Sequence, residues 1–302
     1  MPEIMTRENF GSLLLPVHRK VFFDSYKEKP CQYLKVFKKD KMRGKQESFQ
    51  HLGALGAWKE GTEGGVFNLS NFGEGPAATF IADRYDNSYK ITWELVQDDL
   101  YNVMKGIGKG GSAKGLGRGA RVTEERQSAN VILNGFSVAG YDGKPLFATD
   151  HPLVSSTKTC SNLIEGALTD ATLKQALTML RKQVDETGEI IDTHATQLVV
   201  CPDLEFTAKA IVNSILQAGT NNNDVNTVPN LEVVVYDYLA SDDKKVWFVQ
   251  DTTIDNLTFL TREAPLFGSQ FIPGQIDALM YGYERFAVGY TEWRGLVGST
   301  GV

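Results

Sequence analysis

The stretch Gly140-Tyr-Asp-Gly-Lys-Pro-Leu-Phe-Ala-Thr-Asp-His-Pro152 sits near the middle of a 302-residue chain and decides how the rest is read. Asp142-Gly143 is a tight-turn dipeptide, because Gly tolerates positive φ and Asp can bond its own backbone. Pro145 and Pro152 bracket an extended Leu146-Phe147 and leave no room for a helix. The segment is a stiff, irregular connector that buries two apolar side chains.

Upstream of it, residues 120–135 read as a long, largely polar helix with a thin apolar stripe of Ala129, Ile132 and Phe136. Such a helix bridges other elements or lies along a surface. Glycines at 106–119 read as a flexible interruption before it, and Asp98-Asp99 as the acidic start of another helical stretch. In residues 89–96 Tyr89, Ile91, Trp93 and Leu95 alternate with polar neighbours, which predicts a half-buried strand. Residues 46–88 scatter glycines among Trp58, Phe67 and Phe72, the pattern of a long two-stranded excursion with its tip at Gly64-Gly65. Residues 1–45 read as an arm with a short helix near 17–27.

Downstream, Leu173, Ala176, Leu177, Leu180 and Val184 keep helical spacing over 170–186, with Thr169 or Asp170 as cap and Gly188 as stop. Residues 197–201 predict a buried strand leading into a second amphipathic helix marked by Leu204, Ala208, Ile211, Val212 and Ile215. A polar loop covers 219–230. Strands are expected at 231–236, 246–250, 257–261 and 288–293. The order lacks the regular alternation of a doubly wound sheet, so the class is α+β.

Hydrophobic residues make up 42% of the chain, enough for a core. Cys31, Cys160 and Cys201 are too few and too scattered for a disulfide framework or a zinc site, and read as reduced thiols. No apolar run reaches membrane-spanning length, and the first residues show no signal pattern. The net charge is −6, yet residues 1–45 hold eleven Lys/Arg against five Asp/Glu, a local +6 that leaves about −12 elsewhere. A basic arm on an acidic body suits self-association; the bland alternative is a solvated tail. The acidic body argues against a domain built to grip nucleic acid.

Chemical motifs are thin. Gly106-x-Gly108-x-x-Gly111 matches a dinucleotide-binding spacing, but it follows a polar segment where that loop needs a buried strand. His151 lies near Ser155, Ser156 and Cys160, as a base near a nucleophile would, and equally as a histidine bonded to backbone in a tight turn. Asp192-x-His194 lacks further ligands at metal-binding spacing. The adjacent pairs Asp98-Asp99 and Asp242-Asp243 read as solvated charge or interface ion pairs, and Trp247-Phe248 as core. No catalytic residue, cofactor or metal is assigned.

Tyr141-Asp142-Gly143-Lys144-Pro145-Leu146-Phe147 followed by His151-Pro152 resembles the central signature of Mu-like phage major head subunits, within the Hong Kong 97-type capsid proteins. Val246–Asp251, Thr261–Pro265, Arg285 and Trp293 are similar to that family's C-terminal third. The resemblance implies an N-terminal arm at 1–45, an E-loop at 46–88, a P-domain with a spine helix at 89–194 and 262–302, and an A-domain at 195–261. It implies a major capsid protein that self-assembles into hexamers and pentamers of an icosahedral virion shell around double-stranded DNA, built in the bacterial host cytoplasm, with no membrane partner. Trp58, Lys59, Phe67 and Phe72 would lie at subunit interfaces, and the glycines at 106–119 would let the spine bend. Some relatives carry a long N-terminal scaffolding segment. The short arm here implies separate scaffolding and portal proteins. A shell of the same fold around an enzyme cargo, as in encapsulins, is the alternative, and an α+β enzyme the third reading.

Overall fold

Two long strands, Leu257–Phe271 and Asp277–Tyr290, run antiparallel and form the frame of the molecule. The computed structural model describes residues 10–52, 57–58, 60–61, 63–69, 74–92, 94, 98, 111–153, 156–214, 226–228, 231–240, 244–271 and 277–301. Their order is α1 (Phe10–Tyr26), β1 (Lys38–Lys41), β2 (Gln46–Leu52), β3 (Glu74–Ile81), β4 (Asp83–Thr92), α2 (Ser112–Asn134), β5 (His151–Leu153), β6 (Ser156–Cys160), α3 (Asp170–Arg181), β7 (Gln197–Val200), α4 (Glu205–Asn213), β8 (Glu232–Val235), β9 (Trp247–Gln250), β10 (Leu257–Phe271), β11 (Asp277–Tyr290) and β12 (Leu296–Ser299). The mixture is α+β, as expected.

One four-stranded sheet has the order β1-β10-β11-β4, and α1 and α2 pack on it. The other has the order β12-β9-β7-β8. Every residue of β7, β9 and β12 is buried, which explains why β7 and β9 read as apolar runs and not as alternation; β12 falls outside the expected strands. Trp247, Phe248 and Trp293 are within 1% of full burial and anchor the main core. Burying each such side chain is worth roughly 1.5–3 kcal/mol or more.

Several boundaries differ from expectation for identifiable reasons. The first helix starts at Phe10, not near 17, and runs through Pro16. Residues 112–119 are helix, not a flexible interruption. Glycine costs a helix about 1 kcal/mol relative to alanine, but at Gly117 an added Cβ would stand 2.3 Å from the Phe22 carbonyl oxygen. Only glycine lets α1 and α2 approach that closely. The glycine-rich residues 106–110 lie outside the described residues. The polar α2 is not a surface helix either: Glu124, Glu125 and Ser128 are buried beside Ala129 and Ile132.

The strand expected at 89–96 begins at Asp83 and ends at Thr92, because β11 pairs with it from Phe286↔Asp83 to Asp277↔Thr92; Trp93 and Leu95 lie outside the described residues. Helix α3 is capped by Thr169, whose hydroxyl accepts from the Thr172 N–H. It stops at Arg181, and Val184 instead bridges to Ile190 across the turn at Gly188. The strand expected at 257–261 continues to Phe271 through two register shifts on either side of Glu263, the second of them at Ala264-Pro265. The strand expected at 288–293 begins at Asp277 and ends at Tyr290; Trp293 sits beyond it, and β12 follows a turn at Gly295. Residues 33–41, read above as arm, lie in the body. Tyr33, Val36 and Phe37 belong to the main core, and β1 pairs with β10.

Candidate functional site

The central motif holds three parts of the molecule together. Gly140 N–H donates to Lys144 O at 2.7 Å, Lys144 N–H donates to Asp142 Oδ1 at 3.0 Å, and Gly143 adopts φ +78°. Leu146 and Phe147 are buried, as the sequence implied. An added Cβ at Gly140 would stand 1.4 Å from the Tyr290 hydroxyl, so β11 presses directly on the turn. Asn162 clamps the far side: it accepts from Ala148 N–H at 2.8 Å and donates to Leu146 O at 2.8 Å.

His151 is fully buried, and its partners are side chains, not the backbone of a turn. Its Nδ1 lies 2.6 Å from Asp142 Oδ2 and its Nε2 lies 3.2 Å from Asn162 Oδ1. Its ring stacks on Trp293 at 4.2 Å and 6°. Facing it in register on β6 is Cys160, whose thiol is pushed up by burial, with Arg294 opposing. A raised thiol is a poor nucleophile. Ser155 lies outside the described residues. The arrangement is a buried peg that joins the motif to the chain's last third.

Strands β2 and β3 form the antiparallel base of the expected excursion, with Gln46 opposite Ile81 and Glu74 opposite Leu52. Phe80 packs with Met42, Ala78, Ala82, Leu260 and Ala287, which fixes the base to the frame strands. On β2, His51 Nδ1 lies 3.3 Å from Glu292 Oε2, and its ring stacks on Tyr141 of the motif at 4.7 Å. The hydrogen bond to Glu292 pushes the His51 imidazole above its ordinary value. Burial pushes the Glu292 carboxyl up, but His51 and Arg294 outweigh it and hold it below the usual range. Arg294 in turn pairs with Glu186 at 2.9 Å.

The far part of the excursion is apolar and bare. Trp58 is 101% exposed, Val66 94%, Phe67 93% and Leu69 89%. Gly64 turns there with φ +76°. Two of the four expected interface residues, Trp58 and Phe67, are therefore at the surface; Lys59 and Phe72 lie outside the described residues.

The other chemical candidates do not converge. Asp192 pairs with His194 at 3.1 Å on the surface. Trp247 and Phe248 are core. Gly111 precedes α2 as its N-cap, while the rest of the glycine motif, Asp99 and the Asp242-Asp243 pair lie outside the described residues. Among the described residues no three His, Cys, Asp or Glu side chains come together as metal ligands, and no helix is long and apolar enough to cross a membrane.

The sequence missed a buried acidic cluster between α1, α2 and β11. Glu124 Oε2 accepts from the Tyr26 hydroxyl at 2.8 Å and from Tyr33 at 3.4 Å, and Glu125 accepts from the Gln32 and Tyr33 N–H groups. Glu284 faces them from β11, and burial, reinforced by Glu124, pushes its carboxyl up to about 8. Nothing in a run of polar helix signals which carboxylates point inward.

A long hairpin fixed at its base, a buried helix along a four-stranded sheet and a second sheet with its own helices together make the Hong Kong 97-type capsid fold. The chain is similar to the procapsid protein of bacteriophage JBD30 (TM-score 0.50, 15% identity, covering 96% of this chain and 74% of that one). It is similar to the capsid protein of cyanophage P-SCSP1u (TM-score 0.58, 12% identity, 88% and 86%). It also resembles the encapsulin of a holo-SrpI complex from Synechococcus elongatus PCC 7942 (TM-score 0.55, 8% identity, 91% and 88%). In sequence, residues 77–299 match the family described as phage capsid protein, and the chain belongs to that family. No curated protein matches it.

Proposed function

We infer that the chain is the major head subunit of a tailed phage or prophage, assembling into hexamers and pentamers of an icosahedral shell around double-stranded DNA. Membership of the phage capsid protein family supports a structural part of the virion. The observation that carries the assembly reading is the bare hairpin tip, where Trp58, Val66, Phe67 and Leu69 are 89–101% exposed. Contiguous exposed apolar surface marks a contact site, and a tip of this kind suits a neighbouring subunit. Lys59 and Phe72 join Trp58 and Phe67 in that contact.

In this reading residues 46–88 are the E-loop, 89–194 and 262–302 the P-domain with α2 as spine, 195–261 the A-domain and 1–45 the arm, whose residues 33–41 are built into the body. The role is structural, not catalytic. Separate scaffolding and portal proteins complete assembly in the bacterial cytoplasm. The Tyr141–Phe147 motif with His151-Pro152 supports a place near the Mu-like head subunits. An acidic body suits a container that holds DNA without gripping it.

The test replaces Trp58 and Phe67 by serine together and measures assembly by sedimentation. The variant is expected to stay folded and to form few or no closed shells, while the unaltered chain forms them. Shell formation equal to that of the unaltered chain would overturn the tip's role. The contents separate the two shells: DNA supports the phage head, and a packaged protein would support the encapsulin-like alternative.

A further inference from the structure

Between α2 and β11 lies a cavity of about 320 Å³. Phe22, Tyr85 and Leu116 give it apolar walls, and the exposed side chains of Arg84 and Asp86 stand at its rim. Glu284 also lines it. That carboxylate is only 4% exposed, and its Oε2 has no hydrogen-bond partner among the described residues. Glu284 sits on the strand face that also carries the buried Met280 and Phe286 and so points towards α2. A buried, unpartnered carboxyl oxygen is destabilising, so its retention calls for a reason.

A second carboxylate is close: Glu124 faces Glu284 from α2, and Tyr85 stands opposite Glu284 in register on β4. Lys39 acts on Glu284 only through its field, since its ammonium donates to the Tyr33 hydroxyl at 3.1 Å and lies over the Phe259 ring, and Arg84 pairs with Asp86 at 2.9 Å and lies over Tyr283. A hard metal ion would want a shell of six or more oxygens, and apolar walls do not provide one. An organic cation fits better. Its charged head can meet the carboxylate and its alkyl stem the Phe22 and Leu116 walls. The volume lies at the small end of ligand pockets, roughly 300–1,000 Å³.

We propose that this cavity binds an alkyl ammonium or guanidinium group, with Glu284 as its counter-ion. The group arrives either as a free amine or as the Lys or Arg side chain of a second copy of the chain. The binding step itself does not depend on the shell reading. Because burial keeps the empty carboxyl protonated at neutral pH, binding releases a proton.

The test is titration calorimetry of the unassembled chain with n-butylguanidinium at pH 7 in two buffers of different ionisation enthalpy. One saturable site with a buffer-dependent heat is expected, and Glu284→Gln should weaken it at least tenfold. Ala120→Leu, which fills the cavity and leaves Glu284 in place, should block binding as well; melting curves check that both variants are folded. In assembled particles, lost binding identifies a neighbour's side chain as the natural occupant, and retained binding identifies a free amine. No saturable binding by the unaltered chain, or equal binding by the folded variants, would overturn the proposal.

Discussion

Glu284 gives the chain a pH dependence of unusual sign. Its carboxyl is held near 8 in the fold, above the 4.5 of a free glutamate. A group whose pKa rises on folding contributes its full stability below the unfolded value and loses it as pH climbs through the folded one. Stability is therefore expected to fall between about pH 4.5 and pH 8, by an amount on the order of a few kcal/mol. Glu284→Gln, neutral at every pH, should flatten that fall in thermal melts at pH 5 and pH 8. Parallel curves for the two proteins would show that another group governs it. Gly140 is a second point of leverage. A methyl there would overlap the buried Tyr290 hydroxyl, and overpacking of this kind costs roughly 1–3 kcal/mol. Gly140→Ala should lose about that much in chemical denaturation, and an unchanged midpoint would mean that Tyr290 moves aside freely.

At the scale of elements, α2 carries three glycines, of which only Gly117 is closely packed. Gly117 meets the Phe22 carbonyl, while a Cβ at Gly115 would meet nothing within 4 Å. Gly115→Ala should raise stability by about 0.5–1 kcal/mol through helix propensity. Gly117→Ala should lower it by more than that, because α1 must move away. Equal effects of the two substitutions in denaturant titrations would refute the close-packing account. The same elements show what the sequence could convey. Helix α3, with Thr169 at its cap, and the buried runs of β7 and β9 were legible because their signals are local. The turn at Asp142-Gly143 and the buried Leu146-Phe147 were legible for the same reason. Strand β1, Lys38-Lys-Asp-Lys41, was not, because all four side chains are exposed and only its pairing with β10 makes it a strand. The full length of β10 was hidden by Arg262-Glu263-Ala264-Pro265, a charged stretch ending in a proline, across which the ladder shifts register. The inward set of Glu124, Glu125 and Glu284 depends on Tyr26, Gln32 and Tyr33 arriving from some ninety residues away or more, a long-range event that no local pattern encodes.

At the scale of the whole molecule, the parts have a division of labour. The core of β7, β9, β12 and the central motif makes a rigid body, with His151 stacked on Trp293 as its peg. The hairpin leaves that body from a base held by His51, Glu292 and Phe80, and carries apolar side chains into solvent. A lone protein gains nothing from such a tip, whereas in the proposed shell a neighbouring subunit would bury it. The resemblance, drawn from the central motif and the C-terminal third, led to phage capsid proteins, and residues 77–299 match a phage capsid protein family; the finer likeness to Mu-like head subunits stays a proposal. The proposed interface residues came from the sequence only through that resemblance, because exposed aromatics and core aromatics look alike in a string of letters. The most direct measurement is negative-stain electron microscopy of the chain co-produced with a scaffolding protein and purified at high concentration. Closed shells, or rings of five and six subunits, are the predicted result. A population of single folded subunits under those conditions, with neither rings nor shells, would contradict the account.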